Sequence, residues 1–342
     1  MTTLLKQTVG IDVAQKELVV SLGRMNEQIN IEIYAYKVFT NNQKGFSNLV
    51  TWVEKNTLAE IEVRYVMEAT GVYHESLAYY LFGIEKQVSI VLPNKISNYS
   101  RTLDIKTITD KSASQAIARF GLERQLELWQ PPSKIFNELR QLCREREQLV
   151  QERTMLKNQL HAERTSAIPN SRSIERISKR ISLLDTQEKE IKEDIAGLIQ
   201  ADGYLMGKMK ILSSIPGIGN LTAVTIIAET NGFELIRNKR QLVSYAGLDV
   251  REKISGTSVK SKPRISKRGN RNLRKVMHFQ ALAAIRTDER FKGIFARMVS
   301  KHGIKMKAAV AIQRKLLELT FILWKTDTFY DTEYLHQNIE VK

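Results

Sequence analysis

Val9-Gly10-Ile11-Asp12-Val13, followed by Ala14-Gln15-Lys16-Glu17 and then Leu18-Val19-Val20-Ser21-Leu22, is the stretch whose reading decides the fold. An apolar run ending in an acid, a polar turn and a second apolar run make a β-hairpin. Working outward, a third strand over 31–39 would turn Ile33, Ala35 and Val38 inward. Asn42 then caps a helix that carries Phe46, Leu49, Val50 and Val53 at i, i+3, i+4, i+7 spacing. A fourth strand over 61–67, rich in β-branched and aromatic residues, runs into Glu68. A helix over 72–82 and a fifth strand over 88–92, stopped by Pro93, complete a mixed α/β sheet flanked by helices over residues 1–130.

The texture changes at Ser133. Ile135, Leu139, Leu142, Leu149, Leu156 and Leu160 recur at 3–4 spacing, with Arg146 and Arg153 standing at expected apolar positions. After the break at Pro169-Asn170-Ser171 comes a second series, Ile174, Ile177, Ile181, Leu184, Ile191, Ile195 and Leu198, with Glu188 in one core slot. Residues 131–202 therefore read as a helical coiled coil or hairpin, its two helices packing on each other or on another chain. A mainly helical segment over 203–326 and a polar, peripheral tail over 327–342 follow.

The chain has 342 residues, 42% hydrophobic and 26% charged, a balance that excludes collagenous, mucin-like and wholly disordered chains. No apolar run approaches the roughly 18 residues of a membrane span, and the first twelve residues show no export signal, so a cytoplasmic protein is expected. The single cysteine, Cys143, can make neither an internal disulfide nor a cysteine zinc site. The net charge of +16 is concentrated: residues 237–315 hold 22 Lys and Arg against 4 Asp and Glu, a local net of +18. Such an excess within helical apolar patterning implies a folded surface for a polyanion; the plainer alternative is a solvated basic face.

Three constellations carry chemistry. Asp12 ends the first strand, Glu68 ends the fourth, and Asp110 stands just ahead of a helix over 112–120. Acids at neighbouring strand ends face one crevice and repel unless a cation lies between them, and an all-oxygen donor set suits Mg²⁺ or Mn²⁺. A leading hairpin with acids on strands one and four is the signature of the RNase H and RuvC-like nucleases; taken singly, each acid is equally a helix cap or a surface carboxylate. Second, Ile215-Pro216-Gly217-Ile218-Gly219 leads into a helix. Its amides suit a phosphate in the manner of a helix-hairpin-helix, with Gly217 and Gly219 as contacts, or the glycines simply make a tight helix-helix turn. Third, Ser255-Gly256, placed in a turn, is followed by Lys260, Lys262, Arg264, Lys267, Arg268, Arg271, Arg274 and Lys275. Cations around a serine hydroxyl can stabilise charge at a phosphorus under attack; alone, Ser255 reads as an ordinary turn residue.

Together and in this order, the motifs resemble the DEDD-type bacterial insertion-sequence transposases, bridge-RNA-guided recombinases related to the pilin-inversion recombinases. The residues that carry the resemblance are Val9-Gly10-Ile11-Asp12-Val13, Met67-Glu68-Ala69-Thr70-Gly71-Val72-Tyr73, Lys106-Thr107-Ile108-Thr109-Asp110-Lys111 with Ala118-Arg119-Phe120, Ile215 to Gly219, Tyr245-Ala246-Gly247-Leu248, Ser255-Gly256, and Ile265-Ser266-Lys267-Arg268-Gly269-Asn270 with Leu273-Arg274. The resemblance spans nearly the whole chain. It implies an α/β RuvC/RNase H-like domain, a long coiled-coil segment and a mainly α C-terminal transposase domain with a helix-hairpin-helix element. It further implies Asp12, Glu68 and Asp110 as metal ligands and Ser255 as the residue linked to DNA. Its partners would be donor and target DNA and a structured guide RNA, with assembly as a homodimer or homotetramer in a bacterial cytoplasm, associated with the nucleoid when active. One departure stands out: the family's fourth acid, three residues after the third, is Ala113 here, which leaves Asp104, Ser112 or Ser114 to contribute a ligand in its place.

The function expected is a DNA transposase or recombinase that cuts and rejoins by Mg²⁺-dependent transesterification through a serine-linked intermediate. Its rivals are a metal-dependent junction-resolving nuclease using water and a non-catalytic nucleic-acid-binding scaffold. Neutralising Arg264, Lys267, Arg268 and Arg271 should flatten the plot of log affinity against log salt by ~0.9 for each phosphate left without its cation on duplex DNA, or ~0.7 on a single strand. An unchanged slope in a salt titration would mean that this segment is only a solvated face.

Overall fold

The computed structural model describes residues 3–331 apart from 70, 104–106, 108, 235, 253, 256–258 and 261–262, and for 254, 255, 259 and 260 it describes the backbone only. The chain divides into two compact units, Met1–Pro131 and Pro132–Lys342.

In the first unit, strands β1 (Leu4–Val13), β2 (Glu17–Asn26) and β3 (Ile31–Thr40) form an antiparallel meander, and β4 (Val63–Glu68) and β5 (Gln87–Val91) add to it parallel to β1. The sheet order is β3-β2-β1-β4-β5, the mixed order expected of an RNase H or RuvC-like domain. The first two strands run several residues beyond the hairpin read from the sequence. On β3 the inward residue is Phe39, while Val38 is 41% exposed. A register shift puts Ala35 opposite Leu22 but Ile33 opposite Gly23, so Ile33 lies on the α4 (Asp110–Glu123) face and Ala35 on the other. Side chains alternate from there, Phe39 continues the face of Ala35, and hydrophobicity at 38 does not override that parity.

Alternation also sends β4 to two cores. Tyr65 and Met67 join Val9, Ile11 and Leu22 under helices α1 (Gln43–Asn56) and α2 (Glu75–Gly83). Val66 instead joins Ile96, Tyr99, Ile117 and Phe120 beneath α3 (Pro93–Ser100) and α4 (Asp110–Glu123). Asn42 caps α1 by accepting from the Gly45 amide, as its position suggested. Pro93 ends β5 and also opens α3, since a proline fits the first helical turn, where its missing N–H has no partner to lose. Helix α4 crosses β1 at Gly10. A Cβ there would lie 2.2 Å from the Ala118 nitrogen and 2.3 Å from the Ser114 carbonyl oxygen, so only glycine lets the helix come this close. Beside the crossing, the buried hydroxyls of Ser21 and Ser114 bond at 2.8 Å.

The second unit begins with two long helices, α5 (Lys134–Thr165) and α6 (Ser171–Gln200), which pack on each other as a hairpin. The polar interruptions of the two apolar series are partners. Arg146 and Arg153, from α5, both bond the carboxylate of Glu188 on α6, and Lys192 adds a bond of 2.9 Å from the next turn. Burial opposes the charge of Glu188; the hydrogen bonds from Lys192 and Arg153 and the field of Arg146 overcome it and hold its pKa at about 2.

Helices α7 (Gly203–Ser213), α8 (Asn220–Glu229), α9 (Lys239–Tyr245), α10 (Arg271–Thr287), α11 (Glu289–His302) and α12 (Lys305–Thr326) make up most of the remainder. Between α9 and α10, β6 (Val250–Arg251) pairs with β9 (Arg264–Ile265), and inside them β7 (Ile254–Ser255) pairs with β8 (Val259–Lys260). The boundary expected at 202/203 is not a division between compact units. Leu139, Cys143, Ile191 and Ile195, at the base of the hairpin, share one core with Leu212, Ile226, Met277 and Leu316.

Two outcomes follow from this packing. Gly10→Ala should destabilise the protein by about 1–3 kcal/mol, the usual range for inserting a methyl group into a filled contact, as measured by denaturant unfolding. Glu188, whose folded pKa is depressed, contributes stability that is complete above its ordinary value of 4.5 and is lost as pH falls toward about 2. The difference in thermal midpoint between wild type and Glu188→Gln should therefore be largest near pH 5–7 and shrink between pH 4.5 and about 2.

Candidate nuclease and serine sites

The two acids on the sheet are brought together by register. Ile11 pairs with Met67 on adjacent parallel strands, so Asp12 and Glu68 occupy the next step of each. By parity Asp12 shares the face of Gly10 and Glu68 that of Val66, the face on which α4 lies. Asp110 is the first residue of α4, inside the helix rather than ahead of it. Its turn is fixed by a capping box in which Thr109 accepts from the Ser112 amide and the Ser112 hydroxyl accepts from the Thr109 amide. The Ser112 hydroxyl is thus engaged in the cap, and that of Ser114 faces Ser21 and the Lys111 carbonyl, so neither replaces the missing fourth acid. Ala113 sits in the first turn of the same helix, half-buried. Asp104 lies outside the described residues.

Burial raises the pKa of Asp12, the charge of Asp110 raises it further, and a hydrogen bond from the Val13 amide partly offsets both. Burial also raises Glu68, with the charge of Asp12 adding to it. Asp12 is therefore the centre of the set, sensing one acid across the strand pair and another from the helix. The donors are all oxygen, and their repulsion is what a divalent cation would relieve. As placed, no group of three or more His, Cys, Asp or Glu among the described residues is close enough to hold one ion.

Asn41, which sequence reasoning passed over in favour of its neighbour Asn42, ties together the chain around the acids. Its side-chain amide donates to the carbonyls of Ala14 (2.9 Å) and Tyr73 (3.1 Å), and its own backbone N–H donates to Lys16 (2.8 Å). It thus joins the turn beyond Asp12 to the loop beyond Glu68. Its only sequence signal is an asparagine placed directly after a strand.

In the second unit, Ser255 is the last residue of β7, paired with Val259 rather than in the turn. Gly256 and Lys262 lie outside the described residues, and Lys260 is placed by its backbone on β8. Arg264, Lys267, Arg268 and Arg271 are exposed. Arg274 differs: its guanidinium donates to the Ala246 carbonyl at 2.7 Å, which commits it to holding the root of the serine hairpin. Gly217 has φ +82°, and a Cβ on it would lie 2.6 Å from the Gln280 carbonyl oxygen, so it is needed where the α7–α8 turn meets α10. Gly219 is the exposed N-cap of α8, with no side-chain cap and nothing near its Cβ.

A buried carboxylate organises this region, and its role was not visible in the sequence. Glu229, the last residue of α8 and 2% exposed, accepts two bonds of 2.9 Å from Arg144 of α5, one of 2.7 Å from Asn270 and one of 2.9 Å from Asn272. Its carbonyl accepts from the Tyr245 hydroxyl. Burial pushes its pKa up, but the bonds from Arg144, Asn270 and Asn272 prevail and lower it. An acid ending an apolar helix is a visible signal; partners 41 to 85 residues away are not.

Known proteins match both units, and one match crosses the division between them. A family model described as "Transposase IS116/IS110/IS902 family" matches residues 209–296, and a second, described as "Transposase" and of the DEDD IS110 type, matches residues 9–167. The pilin gene-inverting protein of Moraxella bovis is 30% identical over 330 residues, covering 95% of this chain and 98% of that one. The transposase for insertion sequence element IS1111A of Coxiella burnetii is 24% identical, covering 76% and 77%. Among solved structures, Thermus thermophilus RuvC aligns with a TM-score of 0.28 at 10% identity, over 36% of this chain and 99% of that one. With its acids on the sheet, its helical second unit and a relative matched from end to end, the chain belongs to the DEDD, IS110-type family of transposases.

Proposed function

We propose that this protein cuts and rejoins donor and target DNA by transesterification, with Ser255 as nucleophile, a structured guide RNA selecting the sites, and assembly as a homodimer or homotetramer. The observation that carries the reading is the gathering of Asp12, Glu68 and Asp110 on the α4 face of the sheet, where each raised pKa traces in part to a neighbouring acid. The named relatives, a pilin gene inverter and a transposase, support DNA rearrangement as the outcome.

Asp12, Glu68 and Asp110 would hold a Mg²⁺ or Mn²⁺ ion, which supplies Lewis-acid polarisation of a phosphoryl oxygen when bound. The Ser255 Oγ loses its proton and bonds to phosphorus while the bond from phosphorus to the departing deoxyribose oxygen breaks; that oxygen takes up a proton. A deoxyribose hydroxyl from the other duplex then displaces the serine by the reverse sequence. Phosphodiester bonds are conserved in number, so no nucleotide hydrolysis is needed, and the sequence has no GxxxxGK[ST] loop. Arg264, Lys267, Arg268 and Arg271 stabilise the charge that builds at phosphorus and hold flanking phosphates. Lys260, Lys262, Gly217 and Gly219 extend the same nucleic-acid contact, while Arg274 acts through Ala246.

A donor site nicked beyond the cleavage point, mixed with protein, RNA and Mg²⁺, should trap a protein–DNA adduct that survives denaturation, because the rejoining strand diffuses away. Ser255→Ala should form none yet bind DNA as tightly as wild type, and Asp12→Asn, Glu68→Gln and Asp110→Asn should each fold, bind and fail to form it. An adduct that moves to Ser258, Ser261 or Ser266 would reassign the nucleophile. Cleavage by Ser255→Ala would hand the chemistry to water, and metal-independent function of Asp12→Ala would leave a binding scaffold.

A further inference from the structure

Helix α10 buries Leu273, Met277, Ala281 and Ala284 on one side. On the other it exposes Arg271, Lys275 and Phe279 in a row at four-residue spacing. Phe279 is 69% exposed, the most exposed aromatic among the described residues, and its ring is held edge-on by His278 with centroids 5.4 Å apart. His278 is itself bonded to Gln313 of α12 at 2.8 Å. Beside this row lies a cavity of about 600 Å³ between α5, α8 and α10, lined in part by Arg144, Arg146, Thr222, Lys275, Phe279 and Gln280. That volume falls in the range of about 300–1,000 Å³ typical of ligand sites.

A single exposed ring among cations differs from the apolar centre of a protein interface, where aromatic residues cluster and charge is depleted. It matches the way unpaired nucleic acid is held, with cations tracking the phosphates and an aromatic face stacking a base. In sequence the row follows Arg264, Lys267 and Arg268, exposed cations of the segment that leads into α10. We propose that Arg271, Lys275 and Phe279 form a track for an unpaired DNA strand, with phosphates on the two cations and one unstacked base on Phe279 at the mouth of the cavity. Lys275, paired with Glu147 in the free protein, exchanges that carboxylate for a phosphate. The polar wall group formed by Gln280 and Thr222 meets the edge of the base. The inference rests on the reading of this protein as a DNA recombinase and adds that strands leave the duplex on its surface.

The test uses the full-length protein and an oligonucleotide carrying 2-aminopurine, whose emission falls on stacking. Phe279→Ala, at an exposed helical position, should fold normally, lose the quench and bind single-stranded DNA roughly tenfold or more weakly, with its salt slope and duplex affinity unchanged. Phe279→Tyr should restore both signals, and Lys275→Gln should lower the single-strand salt slope by ~0.7. Single-strand affinity of Phe279→Ala within twofold of wild type would overturn the proposal, as would equal losses on single and double strands. Tighter capture of the matching RNA would overturn the assignment to DNA, and an unchanged affinity with a lost oligomer in sedimentation would make the row a contact between copies. The trapped adduct is scored in parallel: wild type that quenches 2-aminopurine yet forms no serine adduct counts against the proposed chemistry and leaves this track standing.

Discussion

The contact between α4 and β1 over Gly10 is the constraint on which the first unit depends. Backbone meets backbone there without an intervening side chain, and the position of the helix is set to within the width of a methyl group. Since Asp110 is the first residue of that helix and Asp12 lies two residues along that strand, one packing contact carries one acid toward another. The parallel pairing of β1 with β4 brings the third. Burial, and after it the charge of a neighbouring acid, raises the pKa values of Asp12 and Glu68, and the ladder, the capping box and the Asn41 bonds hold the backbone around them.

The second unit is organised by the opposite device, a carboxylate surrounded by donors. Glu188 fastens α5 to α6 through two arginines, with Lys192 of its own helix as a further donor, and Glu229 fastens α5 to the segment that enters α10. Burying such a group with partners is worth little against an apolar substitute, whereas removing one partner is expensive. What these clusters supply is register: a coiled-coil pair bonded at one height and a helix start bonded at one angle. Through Asn270 and Arg274 that order reaches the root of the hairpin bearing Ser255.

The net charge lies in one unit: residues 1–131 hold 14 Lys and Arg and 14 Asp and Glu, so the whole +16 belongs to residues 132–342. The first unit sets Asp12, Glu68 and Asp110 at the sheet face and the start of α4, and the second carries the excess of Lys and Arg over residues 237–315. A surplus of cations in the unit that carries the Ser255 hairpin suits a recombinase, whose polyanionic substrate a basic surface attracts.

Much of this was legible in the sequence. Period-two alternation and acids at strand ends reveal the hairpin, the order of the sheet and two of the three site acids, while 3–4 spacing reveals the two long helices. These features are local, and local backbone preference and side-chain period determine them. Val38 shows the limit: its hydrophobicity pointed inward, and the parity set by its neighbours turned it out. Which polar groups meet was decided only by tertiary packing. Arg146 and Arg153 read as defects in one heptad series and Glu188 as a defect in another, until the helices paired and made them one ion cluster. Glu229 read as a helix end, and Arg274 as one more phosphate contact. A charge's partner is set by distance in space, and a chain that folds across 28 to 85 residues leaves no periodic trace of that distance in its sequence.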